Sequence, residues 1–280
     1  MKYLFLLGLV FALCFYAGKH YNSVQTHSAR LAVLEQGAFR PSPYPLMNRS
    51  FVLVLTGRNH GAQVEKTLRS IISQRYDQYR VVYIDDASDD GSFDIVQDFV
   101  REHGDSGKFV LAKNEKPLGV LGNIFRAVQE CQDSEIVVLL EENGWLAHEW
   151  VLSRLNQYYA HSDLWLTYGQ YRQYPGYQMG KTKLVDGNVR DTEHEAFHLT
   201  TFYASLFKQI HPSDLVDQGT YFDDEFAYMF PMLEMSEGHS TFVPDVLYVT
   251  SGNTEKTARA EQIIRSKTPY RPLAHLEKTP

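Results

Sequence analysis

Between residues 50 and 150 one unit recurs: a strand-length apolar run, a polar turn, then a segment whose apolar residues fall three and four apart. The first copy is Phe51-Val-Leu-Val-Leu55, the turn Thr56-Gly-Arg-Asn-His-Gly61, and a helical stretch with Val64, Leu68, Ile71 and Ile72 on one face. The second runs from Tyr79 to Ile84, turns through Asp85-Asp86-Ala-Ser-Asp-Asp-Gly-Ser92 and resumes helical spacing from Phe93 to Val100. A third strand, Lys108 to Ala112, passes through Asn114 to Gly119 into a helix from about Leu121 to Cys131, and a fourth, Glu135 to Leu140, ends in Glu141-Glu-Asn-Gly144. Strands that alternate with helices pair in parallel through right-handed crossovers, which predicts an α/β chain with a doubly wound sheet. Ligands of such sheets bind beyond the carboxyl ends of the strands, where all four polar turns fall.

Carboxylates, amides and hydroxyls in those turns suit a nucleotide: a carboxylate accepts from base or ribose, and a divalent cation bridges acids to a diphosphate. Each turn taken alone also reads as ordinary turn and helix-cap chemistry. Neither G-x-G-x-x-G nor G-x-x-x-x-G-K-[ST] occurs, so dinucleotide and P-loop sites are not supported. Twenty-seven Lys and Arg against 34 Asp and Glu leave a net charge of −7, with no basic stripe for a phosphate backbone, so nucleic acid is not an expected partner. Cys14 and Cys131 provide neither a disulfide within the folded domain nor a structural zinc cluster.

Ahead of the repeats, Tyr3 to Ala17 is an uncharged apolar run between Lys2 and Lys19-His20. It is short for a hydrocarbon core of about 30 Å, which leaves an uncleaved membrane anchor and a cleaved signal peptide as alternatives. The expected division is anchor or signal 1–18, a polar stalk 19–49 stiffened by Pro41, Pro43 and Pro45, and a folded domain 50–280. Within the domain the divisions are a nucleotide-binding half 50–150, an acceptor half 151–250 and a tail 251–280. Asn48-Arg-Ser50 fits an N-glycosylation acceptor, and the tail's Lys256, Arg259, Arg265, Lys267 and Arg271 suit either a membrane surface or plain solvation.

Four features together carry a resemblance to a known family: the acidic turn Tyr83 to Ser92, the asparagine-glycine segment Asn114 to Asn123, the acidic turn closed by Trp145-Leu146, and the aromatic and Met-rich strings Thr201 to Phe207 and Ala227 to Met235. They resemble the family 2 glycosyltransferases, and a bacterial subgroup of them in particular, over most of residues 50–250. The resemblance implies a glycosyltransferase A fold, a Rossmann-like mixed central sheet flanked by helices, and transfer of a sugar from a nucleotide-sugar to a glycan, lipid or protein acceptor. It implies a nucleotide held by Asp85 or Asp86 with Ser88 nearby and by Thr56, Arg58 and Asn123. It also implies Mn²⁺ or Mg²⁺ on a metal loop reduced to Glu141 and Asn143, where relatives carry Asp-Gly-Asp-Asp. Asn143 brings a neutral amide oxygen in place of a carboxylate, which weakens a hard-cation site.

Inverting transfer needs a general base, and the resemblance places it at Glu225 or, one residue earlier, Asp224. Read without the resemblance, Asp223-Asp-Glu225 is an acidic helix N-terminus. An inactive nucleotide-sugar or glycan-binding relative is the alternative implied by the altered loops and by Thr200, where relatives have Arg. A remoter alternative is a zinc protease through His194, Glu195 and His198, an H-E-x-x-H stretch with Glu225 or Glu234 as third ligand. Tyr158, Tyr159, Trp165, Tyr168, Tyr171, Tyr174 and Tyr177 read as core or as stacking platforms for a sugar, and Met229, Met232 and Met235 as packing.

Overall fold

The computed structural model describes residues 47–280 except 104, 106, 162, 181, 183, 184, 186, 192–196, 252–257, 279 and 280. Residues Leu46–Pro280 form one compact unit. The expected anchor and all but the end of the stalk lie outside the described residues, as do Lys256, His194 and Glu195. No helix among the described residues is long and apolar enough to cross a membrane.

The four expected strands are β1 (Phe51–Gly57), β2 (Tyr79–Asp85), β3 (Phe109–Lys113) and β4 (Ile136–Glu141), parallel in the order β3-β2-β1-β4. Helices α1 (Gly61–Ile72), α2 (Ser92–His103) and α3 (Val120–Gln129) join them. The chain then adds β5 (Gly144–Leu146), α4 (Val151–His161), β6 (Leu166–Gln173), β7 (Gln178–Met179), β8 (Thr201–Tyr203) and α5 (Ala204–Phe207). A small hairpin, β9 (Val216–Asp217) and β10 (Thr220–Tyr221), precedes α6 (Phe226–Met235), β11 (Ser240–Thr250) and α7 (Ala258–Ser266). Strand β8 pairs antiparallel with both β4 and β6, β11 runs parallel to β6, and β5 closes the row antiparallel to β11. The sheet is therefore mixed, and parallel pairing throughout holds only for its first four strands.

Alternation along the strands decides which face each residue serves. In β1, Val52 and Val54 join a core with Leu121, Ile124 and Val128 of α3 and Met229 and Phe230 of α6, whereas Phe51, Leu53 and Leu55 join Val64, Leu68 and Ile71 of α1 and Val96 of α2. Helices thus cover both faces. Met229, Met232 and Met235 are all buried, which fits packing. Of the aromatic series, Tyr159, Trp165, Tyr168 and Tyr171 are core while Tyr174 and Tyr177 are exposed. Of the tail's cations, Lys267 approaches Asp214 at 3.7 Å and Arg265 pairs with Glu261 on its own helix, whereas Arg259, 3.8 Å from Asp217, and Arg271 are exposed.

Candidate active site

A cavity of about 410 Å³, within the range of small-molecule sites, opens at the carboxyl ends of the parallel strands on the face covered by α3 and α6. Strand parity explains its composition. Val54 and Thr56 of β1, Leu139 and Glu141 of β4, and Asp86 just past β2 all line it. Tyr83 and Asp85 fall on the opposite face, and Glu142 has turned to the same side. Arg58, Asn123, Asn143, Asp224 and Glu225 also border the cavity, so three separated segments meet there. Asp85 and Ser88 do not line it. Asp85 is fully buried and accepts from Ser88 N–H (2.9 Å), while Ser88 Oγ accepts from Asn59 N–H (3.0 Å); they fold the two turns together.

Asp86 clamps the asparagine-glycine segment. Its carboxylate accepts from Leu118 N–H (2.8 Å), Gly119 N–H (2.9 Å) and Asn114 Nδ2 (2.7 Å), and Asn114 also donates to Asn123 Oδ1 (2.7 Å). Burial pushes this carboxyl up, but the donors from Asn123, Leu118, Asn114 and Gly119 outweigh it and hold Asp86 below the usual carboxylate range. Gly119 enters α3 at φ 83°, a backbone setting that glycine adopts without steric cost.

The loop after β4 is held from two sides. Glu141 N–H donates to Tyr248 Oη (3.2 Å), and a Cβ added at Gly144 would lie 1.8 Å from that oxygen, so only glycine leaves room for the phenol. Thr67 Oγ1 of α1 donates to the carbonyls of Glu142 (3.0 Å) and Gly144 (2.6 Å). Glu142 itself is buried, accepts from Tyr83 Oη (2.7 Å) through Oε1 and leaves Oε2 without a partner. Desolvation, with the nearby Asp85 and Asp90 charges, pushes its pKa up to about 7 despite the Tyr83 hydrogen bond.

Glu141 is half-buried at the cavity, and Asn143 Oδ1 is buried there with no hydrogen-bond donor. Both are hard oxygen ligands, so this pair fits a divalent cation. Among the described residues no three His, Cys, Asp or Glu side chains gather closely enough to hold a metal unaided. A cation held by this pair would need further ligands, which phosphate oxygens can supply to Mg²⁺.

On the opposite wall, Asp224 Oδ1 accepts from Phe226 N–H (2.9 Å) at the start of α6 and is almost fully buried, which matches the reading of these acids as a helix N-terminus. Glu225 is half-buried, and its carboxylate accepts from Phe197 N–H at 3.3 Å. His198, Tyr248, Thr250 and His60 also line the cavity, though no motif singled them out as cavity residues. His198 packs between Tyr171 (5.1 Å) and Tyr248 (5.4 Å). The protease alternative requires a helix through residue 198, but residues 197–200 are irregular chain leading into β8. Its candidate third ligand Glu234 is instead ion-paired with Arg190 and accepts from Tyr270 N–H (2.8 Å).

Comparisons with known proteins bear on the fold and the family. The profile described as Glycosyl transferase family 2 matches residues 52–219, more than half of the chain. No curated protein matches. Among solved structures, the mannosyltransferase PcManGT from Pyrobaculum calidifontis, in complex with GDP-Man and Mn²⁺, superposes with a TM-score of 0.57 at 18% identity, covering 84% of this chain and 66% of that one. TarS of S. aureus gives 0.59 at 13% identity over 77% of this chain and 39% of its own. GalNAc-T7 with UDP, GalNAc and Mn²⁺ gives 0.53 at 14% over 74% and 44%. The chain therefore spans less than two thirds of each of these proteins, and at such identities the likeness is one of fold. The family match rests on the chain's own residues, and by it this protein belongs to glycosyl transferase family 2.

Proposed function

We propose that the cavity binds a nucleotide-sugar and that the sugar passes, with inversion, to a hydroxyl of an acceptor. The observation that carries this reading is the convergence of Asp86, Glu141 and Glu225 on one cavity from three separate segments. Thr56, Arg58 and Asn123 border the side where the nucleoside would lie, with Asp86 shaping that wall through the Asn114–Gly119 segment. Asp85 and Ser88 hold the turn behind it. Glu225 is the base of choice: it is more open to the cavity than Asp224, whose carboxylate already serves the start of α6. It would take the proton of the attacking hydroxyl as the glycosidic bond to the diphosphate breaks.

Charge favours metal assistance. Besides Glu142, whose side chain is turned to Tyr83, five carboxyl groups border the cavity, Asp86, Glu141, Asp223, Asp224 and Glu225, against Arg58 and the imidazoles of His60 and His198. A diphosphate entering so acidic a site is repelled unless positive charge enters with it. Mn²⁺ or Mg²⁺ held by Glu141 and Asn143 would supply that charge and stabilise the leaving diphosphate. The test is thermal unfolding with UDP or GDP, with and without Mn²⁺. A nucleotide at 100 times its Kd stabilises by about 2.7 kcal/mol, and the expected shift appears only with the metal. A shift indifferent to Mn²⁺ would favour the non-catalytic alternative, and no shift with either nucleotide would remove the reading.

The Tyr3–Ala17 run is proposed to tether this domain to a membrane. In a liposome flotation assay the full chain is expected to float and residues 46–280 to stay at the bottom; equal behaviour would reject the tether.

A further inference from the structure

Beside the cavity lies an aromatic cluster that the donor reading leaves unused. Trp145 follows the metal loop by two residues, and Tyr174, at the end of β6, donates its backbone N–H to the carbonyl of the cavity residue Thr250 (2.8 Å). The rings of Trp145 and Tyr174 meet edge to face at 5.6 Å, and those of Tyr174 and Tyr177 at 5.7 Å. Tyr174 is 43% exposed, Tyr177 55% and Met179 49%, although each is large and apolar. Scattered apolar residues at a surface need no explanation, but a contiguous group does. Tyr177 also holds φ 52°, a left-handed setting uncommon for a bulky residue, so the turn keeps its ring outside at a conformational cost.

Lys66 of α1 completes the group. Its Nζ sits 3.2 Å from the Trp145 ring centroid and 4.4 Å from that of Tyr174. Its ammonium is thus placed by cation–π attraction. Partial desolvation lowers its pKa from the ordinary lysine value. The combination of the exposed Tyr174 and Tyr177 rings with a positively charged donor seated over Trp145 matches one ligand chemistry. Pyranose rings lay their C–H faces on aromatic rings, and an acidic substituent answers an ammonium.

We propose that Tyr174 and Tyr177, with Lys66 held over Trp145, form a binding subsite for an acidic oligosaccharide, the acceptor of the transfer reaction. The placement as acceptor rests on the cavity being the donor site. The position next to the metal loop suits it: a chain lying on the rings runs toward the cavity past Thr250 and Asn143. Lys66 orients the acidic group, and the rings fix the plane of the sugars.

The experiment applies the fluorescently labelled full chain to an array of immobilised acidic and neutral oligosaccharides, with the Tyr174→Ala/Tyr177→Ala double variant and Lys66→Gln in parallel. Wild type is expected to bind acidic members, the double variant to lose at least tenfold of that signal, and Lys66→Gln to lose preference for acidic over neutral members. Thermal unfolding without ligand checks that the variants fold, and the shift with nucleotide and Mn²⁺ is expected to be unchanged in both. Glycan binding that survives the double variant, or no glycan binding by wild type, overturns the subsite. Loss of the nucleotide shift in wild type with ring-dependent glycan binding intact separates the two ideas: the donor reading fails while the saccharide surface stands.

Discussion

Glu225→Gln is expected to reduce nucleotide-sugar turnover by about 10²–10⁴-fold, the contribution typical of a positioned general base. That is a loss of about 3–5 kcal/mol in transition-state stabilisation. The amide oxygen of the variant still accepts from Phe197 N–H, so the start of α6 and the cavity wall keep their support. The thermal shift with nucleotide and Mn²⁺ is therefore expected to match wild type, and the donor KM to move little. Slow hydrolysis of the donor, with water as acceptor, provides a readout that does not depend on knowing the natural acceptor. A loss below about tenfold removes Glu225 from the role of base. Asp224→Ala is the informative companion: it removes the acceptor of Phe226 N–H at the start of α6, so it is expected to lower stability as well as rate.

The second large effect concerns stability and pH. Glu142 is buried against Tyr83, and desolvation raises its pKa from 4.5 in a free chain to about 7 in the folded protein. Between those values the folded chain binds a proton that the unfolded chain has released. Stability therefore falls as pH rises through this window, by about 3 kcal/mol in all if the whole shift is realised. Carboxyls lowered by hydrogen bonds, such as Asp86, work in the opposite sense and at more acid pH: their contribution is present above the ordinary carboxyl value and lost below it. The two effects are separable by urea unfolding at pH 5, 6, 7 and 8. Wild type is expected to weaken steadily across that series, and Glu142→Gln to lose most of the slope and to exceed wild type at pH 8. Parallel curves would mean that Glu142 is already ionised at pH 5.

The first half of the domain was legible because each βα unit is local: an apolar run, a turn and an amphipathic helix within some 30 residues declare themselves without knowledge of the rest. The two-residue period also had more to say than the turn compositions did. Val82, Ile84 and Asp86 share one parity and Tyr83 and Asp85 the other, so extending the strand count past Ile84 separates the cavity residue from the buried one. The second half resists such reading. Strands β5, β7 and β8 hold two or three residues each, too few for a period, and are defined by partners far along the chain. Strand β11 contains Pro244 where its register with β6 slips between Val243 and Val246, which masks eleven residues of strand. Tyr248, Thr250 and His198 reach the cavity only through these distant pairings, and burial of Glu142 follows from the fold of its loop.

The fit of the Tyr248 phenol against Gly144 separates two things that are easily taken as one, the route of a loop and the ligands it offers. A side chain at 144 would push the phenol out and release the Glu141 amide, so the route tolerates almost no change. The lock runs through the backbone amide of Glu141 and the bare Cα of Gly144, whereas the side chains at 141 and 143 border the cavity and supply none of its contacts. Such a frame keeps the path of the backbone the same whether a carboxylate or an amide stands at 141 or 143.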